Sequence, residues 1–180
     1  MEFKNKNPKI FVLSGKASSG KTTVSNIIKS NLNNTICLAY ASYLKMYASK
    51  ISGWDGSEES KPRELLQNLG VELIKTHIDE NMLVNRIIED IKVYSYFFDN
   101  IVITDARFPN EIESIKNNFD NVISIRINRN ETSLKGKEAI HSTEVGMDNY
   151  NDYDYIINNN DDIKALELKV MEVVKKCIKS

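Results

Sequence analysis

Gly15-Lys16-Ala17-Ser18-Ser19-Gly20-Lys21-Thr22 decides the architecture of this 180-residue chain. The spacing is G-x-x-x-x-G-K-T, and the flanks complete it. Lys9 to Ser14 is a short, mostly apolar run that stops at a glycine, the pattern of a buried parallel strand. Gly20 to Leu32 carries Val24, Ile27, Ile28 and Leu32 on one helical face. A strand, a glycine-rich turn and a helix in that order make a phosphate-binding loop. Gly15 and Gly20 allow the backbone conformations that bring amides close to phosphate oxygens. The amides of Ala17, Ser18, Ser19 and Gly20, with the helix N-terminus, form an anion site. Lys21 is expected on the β- and γ-phosphates, and the Thr22 hydroxyl on Mg²⁺, with Thr23 closing the nucleotide-binding stretch.

Outward from this loop, short apolar runs alternate with helical patterns. Thr35 to Ala39, Ile101 to Thr104, Val122 to Ile127 and Tyr153 to Ile157 read as four further strands. Ala41 to Ile51 reads as a helix, followed by the turn-rich Gly53-Trp54-Asp55-Gly56-Ser57. Ser60 is expected to cap a helix with Pro62 in its first turn and Leu65, Leu66, Leu69 and Leu73 inward, with Gly70 a point of interruption. Asp79 is expected to cap a helix faced by Leu83, Ile87, Ile91 and Tyr94, and Asp161 the last helix. Pro109 opens a helix with Ile112, Ile115 and Phe119 inward, whereas Asn128 to Ile140 is polar and aperiodic. Alternating strands and helices argue one α/β domain with a parallel sheet over residues 1–180.

Composition narrows the classes. Hydrophobic residues make 41% and charged residues 27%, ordinary for a globular protein. A net charge of −1 gives no basic field for nucleic acid. No apolar run approaches the ~20 residues that span a bilayer, and Ile10 to Leu13 is too short for a signal peptide, so a cytoplasmic protein is expected. Cys37 and Cys177 have neither metal nor redox spacing and read as reduced thiols.

Asp105 follows the apolar Ile101-Val102-Ile103-Thr104 and is read in a loop running to Pro109. At the carboxyl end of a parallel strand it faces the crevice where ligands bind, and its carboxylate can hold Mg²⁺ through water. Arg107, two residues on, suits bidentate contact with an anionic substrate.

The segment Asp105-Ala106-Arg107-Phe108-Pro109-Asn110-Glu111 resembles the D-x-R-F-P-N-E stretch of the bacteriophage-type deoxynucleoside monophosphate kinases. Ala41-Ser42-Tyr43-Leu44-Lys45 resembles that family's A-D-P-L-K. Arg63 to Glu72 resembles its R-x-L-L-Q-x-L-G-x-E, and His141-Ser142-Thr143-Glu144 its H-x-S-E. The resemblance implies a P-loop kinase fold with strand order 2-3-1-4-5, an acceptor-binding helical region over about residues 40–98 and a lid over about 128–141. It implies ATP with Mg²⁺ as donor, a deoxynucleoside 5′-monophosphate as acceptor, and allows a homodimer. On this resemblance Lys45, Arg63, Gln67 and Arg107 bind the acceptor. Asp105 and Arg107 stand between donor and acceptor, and Arg129 is the lid arginine over the ATP phosphates. Tyr43, Lys75, Met82-Leu83 and Thr143 depart from the family pattern, mostly around the acceptor.

Two other classes fit the loop alone. One is a kinase acting on dephospho-coenzyme A or phosphomevalonate, since fold does not fix the acceptor. The other is a nucleotide-dependent switch or interaction module, against which the absence of an N-K-x-D signature and the arginine-bearing regions weigh.

Overall fold

Apolar residues on consecutive positions need cover on both faces of a sheet, and the two runs that have them lie at its centre. The computed structural model describes residues 3–130 and 142–179. In it β1 (Lys9–Ser14) is flanked by β3 (Asn100–Ala106) and β4 (Val122–Asn128), with Ile10 opposite Ile101 on one side and Val122 on the other. β2 (Thr35–Leu38) and β5 (Tyr155–Asn158) close the edges. All neighbours run parallel, in the order β2-β3-β1-β4-β5, as the resemblance implies.

Period-two alternation divides the core between the two faces. Ile10, Val12, Ile101 and Ile103 pack on Val84, Ile87 and Ile91 of α4 (Met82–Tyr94) and on Ile112 and Ile115 of α5 (Pro109–Asn118). Phe11, Leu13, Val102, Ile125 and Ile127 pack on Val24 and Ile28 of α1 (Lys21–Asn31) and on Leu166, Val170 and Val174 of α7 (Ile163–Lys179). A third, smaller cluster lies outside the sheet: Ala48 of α2 (Tyr40–Ser52) with Trp54 and Leu69.

Several local expectations change. β3 does not end at Thr104. Its register against β1 slips, from Val12 opposite Ile103 to Ser14 opposite Ala106, so a bulge carries the strand through Asp105. Bulges re-aim side chains beside functional sites. α3 (Arg63–Gln67) begins after Pro62, while the Ser60 hydroxyl meets Ser57 and Asp55 instead of capping it. Asp79 accepts from the Asn81 amide one turn ahead of α4, and Asp162, not Asp161, caps α7 through the Ala165 amide. Asp161 pairs with Lys169.

The largest difference follows α3. The chain continues as a π-helix over Asn68–Ile78, through Gly70 without a break. Its five-residue register shows in the Asp79 amide on the Ile74 carbonyl at 2.9 Å, and in side-chain bonds from Thr76 to Val71 O and His77 to Glu72 O. The wider winding turns Leu73 outward, 46% exposed, and brings Ile74 in, 3% exposed. α6 (Ser142–Val145) is a single turn. Among the described residues no helix is long and apolar enough to cross a membrane. Cys37 and Cys177 are both thiols.

Candidate functional site

The loop between β1 and α1 is built around space that no side chain can share. A Cβ on Gly15 would lie 2.5 Å from both the Ile127 carbonyl and the Ser19 hydroxyl, and Gly20 holds φ at 103°. The place of a Cβ on Gly20 is taken by the side-chain amide of Asn159, which donates to the Ser19 carbonyl at 2.8 Å. The Ser19 hydroxyl is buried with no hydrogen-bond partner among the described residues. Lys21 turns its ammonium back onto the Gly15 and Lys16 carbonyls at 2.6 and 2.8 Å. Phosphate oxygens in the loop would offer that cation a stronger, charge-assisted partner. Glycines without room for Cβ, a lysine folded on its own loop and a helix N-terminus together fit a polyphosphate.

Beyond the carboxyl ends of the strands opens one cavity of about 530 Å³, a size suited to a small-molecule ligand. Ala17, Ser18, Lys21 and Thr22 line it from the phosphate loop. Lys45, Arg63 and Gln67 line it from α2 and α3, and Asp105 and Arg107 from β3 and the turn after it. Lys21 and Thr22 of the loop motif thus share one cleft with Lys45, Arg63, Gln67 and Arg107, which the family resemblance implies for the acceptor. Leu44, Leu66, Val71 and Ile74 give it an apolar wall. Thr23, in the first turn of α1, is not among the lining residues. Nor is Arg129, which lies exposed just past β4. The rest of the expected lid, residues 131–141, lies outside the described residues, and so does His141.

Cations gather at the end of the cleft formed by α2 and α3. The Lys61 ammonium lies 3.0 Å and the Lys45 ammonium 4.0 Å from the exposed Glu58 carboxylate, and these with Arg63 hold Glu58 below the usual carboxylate range, the Lys61 hydrogen bond foremost. Lys75 places its ammonium 3.5 Å from the centre of the Phe108 ring, a cation–π contact.

Asp105 has a structural duty as well as a place in the lining of the cleft. Its two oxygens accept from the Tyr40 and Ala41 amides, each at 2.9 Å, so it caps α2 from the strand beside β2. Burial raises its carboxyl above the ordinary value, while those amides, Arg107 and Lys21 pull it back. Each carboxylate oxygen has a second lone pair, which leaves capacity for a water-bridged cation. Thr22 and Asp105 both line the cleft and offer oxygens of the kind Mg²⁺ takes.

Three residues without an assigned role prove central. Glu111, at the third position of α5, accepts from the Arg107 and Phe108 amides through one oxygen, and burial raises its carboxyl to about 7. Its place three residues after Phe108 is the local signal, the reciprocal half of a capping box. Tyr40 donates its hydroxyl to the Glu111 carbonyl at 2.8 Å. Burial first, then Glu111 and Asp105, raise its phenol well above the ordinary value, so it stays a donor. Asn159 has no local signature, because its partner Ser19 is distant in sequence.

The family model for deoxynucleotide monophosphate kinase matches residues 49–170. The chain belongs to the deoxynucleotide monophosphate kinase family. The match runs from the last residues of α2 through α3, the π-helix, α4 and the Asp105–Glu111 turn into α7. No curated protein sequence matches the chain. Solved structures share the fold. A sugar kinase from Janibacter is 10% identical over 93% of this chain and 95% of its own, with a TM-score of 0.60. Dephospho-CoA kinase from Campylobacter jejuni is 14% identical over 94% and 97%, at 0.54, and shikimate kinase from Bacteroides thetaiotaomicron 15% identical over 93% and 98%, at 0.51. The deoxynucleotide monophosphate kinase family and this fold make the chain a P-loop kinase that phosphorylates a small molecule.

Proposed function

We propose that the protein transfers the γ-phosphoryl group of ATP to the 5′-phosphate of a deoxynucleoside monophosphate, giving the diphosphate. The observation that carries this reading is the shared cleft: Lys21 and Thr22 on one wall, Lys45, Arg63 and Gln67 on the other, and Arg107 between them. A switch protein has no need of a second cationic wall facing its nucleotide.

The chemistry asks little of a general base. A phosphate monoester has its second pKa near ~6, so the attacking oxygen is already anionic at neutral pH. Positioning and charge neutralisation then carry the rate. Lys21 leaves the Gly15 and Lys16 carbonyls for the β- and γ-phosphates of ATP. Arg63 and Lys45 bind the acceptor phosphate, and Gln67, beside the apolar wall, meets sugar or base. Arg107 neutralises charge between the two substrates, and Arg129 joins from the lid. Thr22 and Asp105 would hold Mg²⁺, which when bound neutralises charge on the β- and γ-phosphate oxygens.

The test is ADP release with Mg-ATP against deoxynucleoside monophosphates, their ribose counterparts and dephospho-coenzyme A. Strong stimulation by at least one deoxynucleoside monophosphate is expected, and loss of about 100-fold or more of it in Lys21→Ala. Turnover that ignores the acceptor, or follows dephospho-coenzyme A alone, would overturn the reading.

A further inference from the structure

Arg107 leaves the sheet on a turn whose backbone is held by one carboxylate. Its own amide and that of Phe108 donate to the same oxygen of Glu111, Oε2, at 2.6 and 3.2 Å. These amides belong to the two peptide planes that flank the Arg107 Cα, so fixing both fixes the direction in which the side chain departs. The clamp is itself held. Glu111 is 8% exposed in the first turn of α5, its carbonyl accepts the Tyr40 hydroxyl at 2.8 Å, and Lys75 covers the Phe108 ring from the cleft side. A long arginine side chain has many rotamers, and its reach into a cleft is determined first by its backbone.

We infer that Glu111 is a positioning residue for Arg107, its carboxylate aiming the guanidinium at the phosphates between donor and acceptor. The inference rests on the acceptor reading above. A carboxyl oxygen accepts both amides through its two lone pairs, and a displacement of about 1 Å at a reacting centre costs about 100-fold in rate. Glu111 touches no substrate in this scheme, and its effect passes through Arg107.

A double-mutant cycle tests it, with ADP release measured at varied ATP and varied deoxynucleoside monophosphate. Glu111→Ala is expected to lower acceptor-dependent kcat by about 100-fold, with KM for ATP within about 2-fold of wild type. Glu111→Gln keeps an oxygen for both amides and is expected to recover activity to within about 5-fold of wild type. On an Arg107→Ala background, Glu111→Ala should cost less than about 3-fold more, because the residue it positions is gone. If Glu111→Ala does not fold, Glu111→Asp takes its place in the cycle, withdrawing the carboxylate by one methylene. Full additivity of the two losses overturns the inference, as does Glu111→Gln being as inactive as Glu111→Ala at equal melting temperature. Wild-type turnover that no deoxynucleoside monophosphate stimulates removes the acceptor reading and the inference with it. Stimulated turnover with additive losses removes the inference alone.

Discussion

Glu111 also sets a pH dependence of stability. Burial first, and then the Asp105 charge, lift its carboxyl from 4.5 to about 7, against the pull of the Arg107 and Phe108 amides and Lys75. A carboxyl raised in the fold favours folding when protonated, so its contribution is complete below about 4.5 and is lost as pH rises through about 7. The difference between the two states corresponds to on the order of 3 kcal/mol. Glu111→Gln cannot ionise, so its melting temperature should fall less than that of wild type between about pH 5 and pH 8. Parallel melting curves for the two proteins across that range would show that Glu111 does not titrate there. The same residue shows where sequence reading stops. Gly15, Gly20, Lys21 and Thr22 announce themselves because the loop's geometry is local, eight residues with a strand before and a helix after. Asp105 and Arg107 were legible as cleft residues from their place after an apolar strand. The α2 cap on Asp105 and the Asn159 contact to Ser19 join residues far apart in sequence, and no spacing rule reports such pairs.

At the scale of elements, the strands and most helices follow from period two and period 3.6, and the acceptor side does not. Leu65, Leu66, Leu69 and Leu73 spell an α-helical face, yet the chain winds as a π-helix from Asn68, buries Ile74 and exposes Leu73. Long π-helices are rare and cluster at functional sites. Here the wider turn presents Gly70, Val71, Ile74 and Lys75 together to the cleft. Gly70 is close to Leu44, where a Cβ would lie 3.1 Å from a methyl carbon, so the small residue lets this helix approach α2. Stability measurements distinguish the two windings. Ile74→Ala should cost about 2–5 kcal/mol, the range for emptying a buried aliphatic site. Leu73→Ala should cost less than about 1 kcal/mol, because its side chain already meets water. Denaturant midpoints in the reverse order would restore the α-helical face. The bulge in β3 belongs to this scale too. Ile101 to Thr104 reads as a finished strand, and only pairing with β1 reveals the slip that carries it to Ala106.

Across the whole molecule, the two sheet cores and the small cluster around Trp54 are separate, and the cleft lies between that small cluster and the core holding Tyr40 and Val84, lined also by the phosphate loop. The donor loop is fastened to the sheet and to Asn159. The acceptor helices are fastened to it chiefly through the Asp105 cap and the contacts of α2 and α4. Substrate-induced closure in kinases moves one such part against another. The chain carries a built-in reporter of that movement in Trp54, its single tryptophan, which is 7% exposed within the acceptor-side cluster and donates its indole N–H to the Ser57 carbonyl at 3.0 Å. Trp54 follows the C-terminus of α2, the helix that carries Lys45, and packs on Leu69 of the π-helix next to Gln67. An acceptor that draws Lys45, Arg63 and Gln67 together must therefore rearrange the packing around the indole, whereas ATP in the phosphate loop contacts a different part of the fold. Titration with a deoxynucleoside monophosphate should change the Trp54 emission intensity or wavelength, and titration with Mg-ATP alone should change it far less. The same experiment on Arg63→Ala should weaken the acceptor response while leaving the folded emission spectrum in place, since Arg63 is exposed at the start of α3 and outside the cluster. A response to Mg-ATP equal to that of the acceptor, or an undiminished acceptor response in Arg63→Ala, would place the acceptor somewhere other than between α2 and α3.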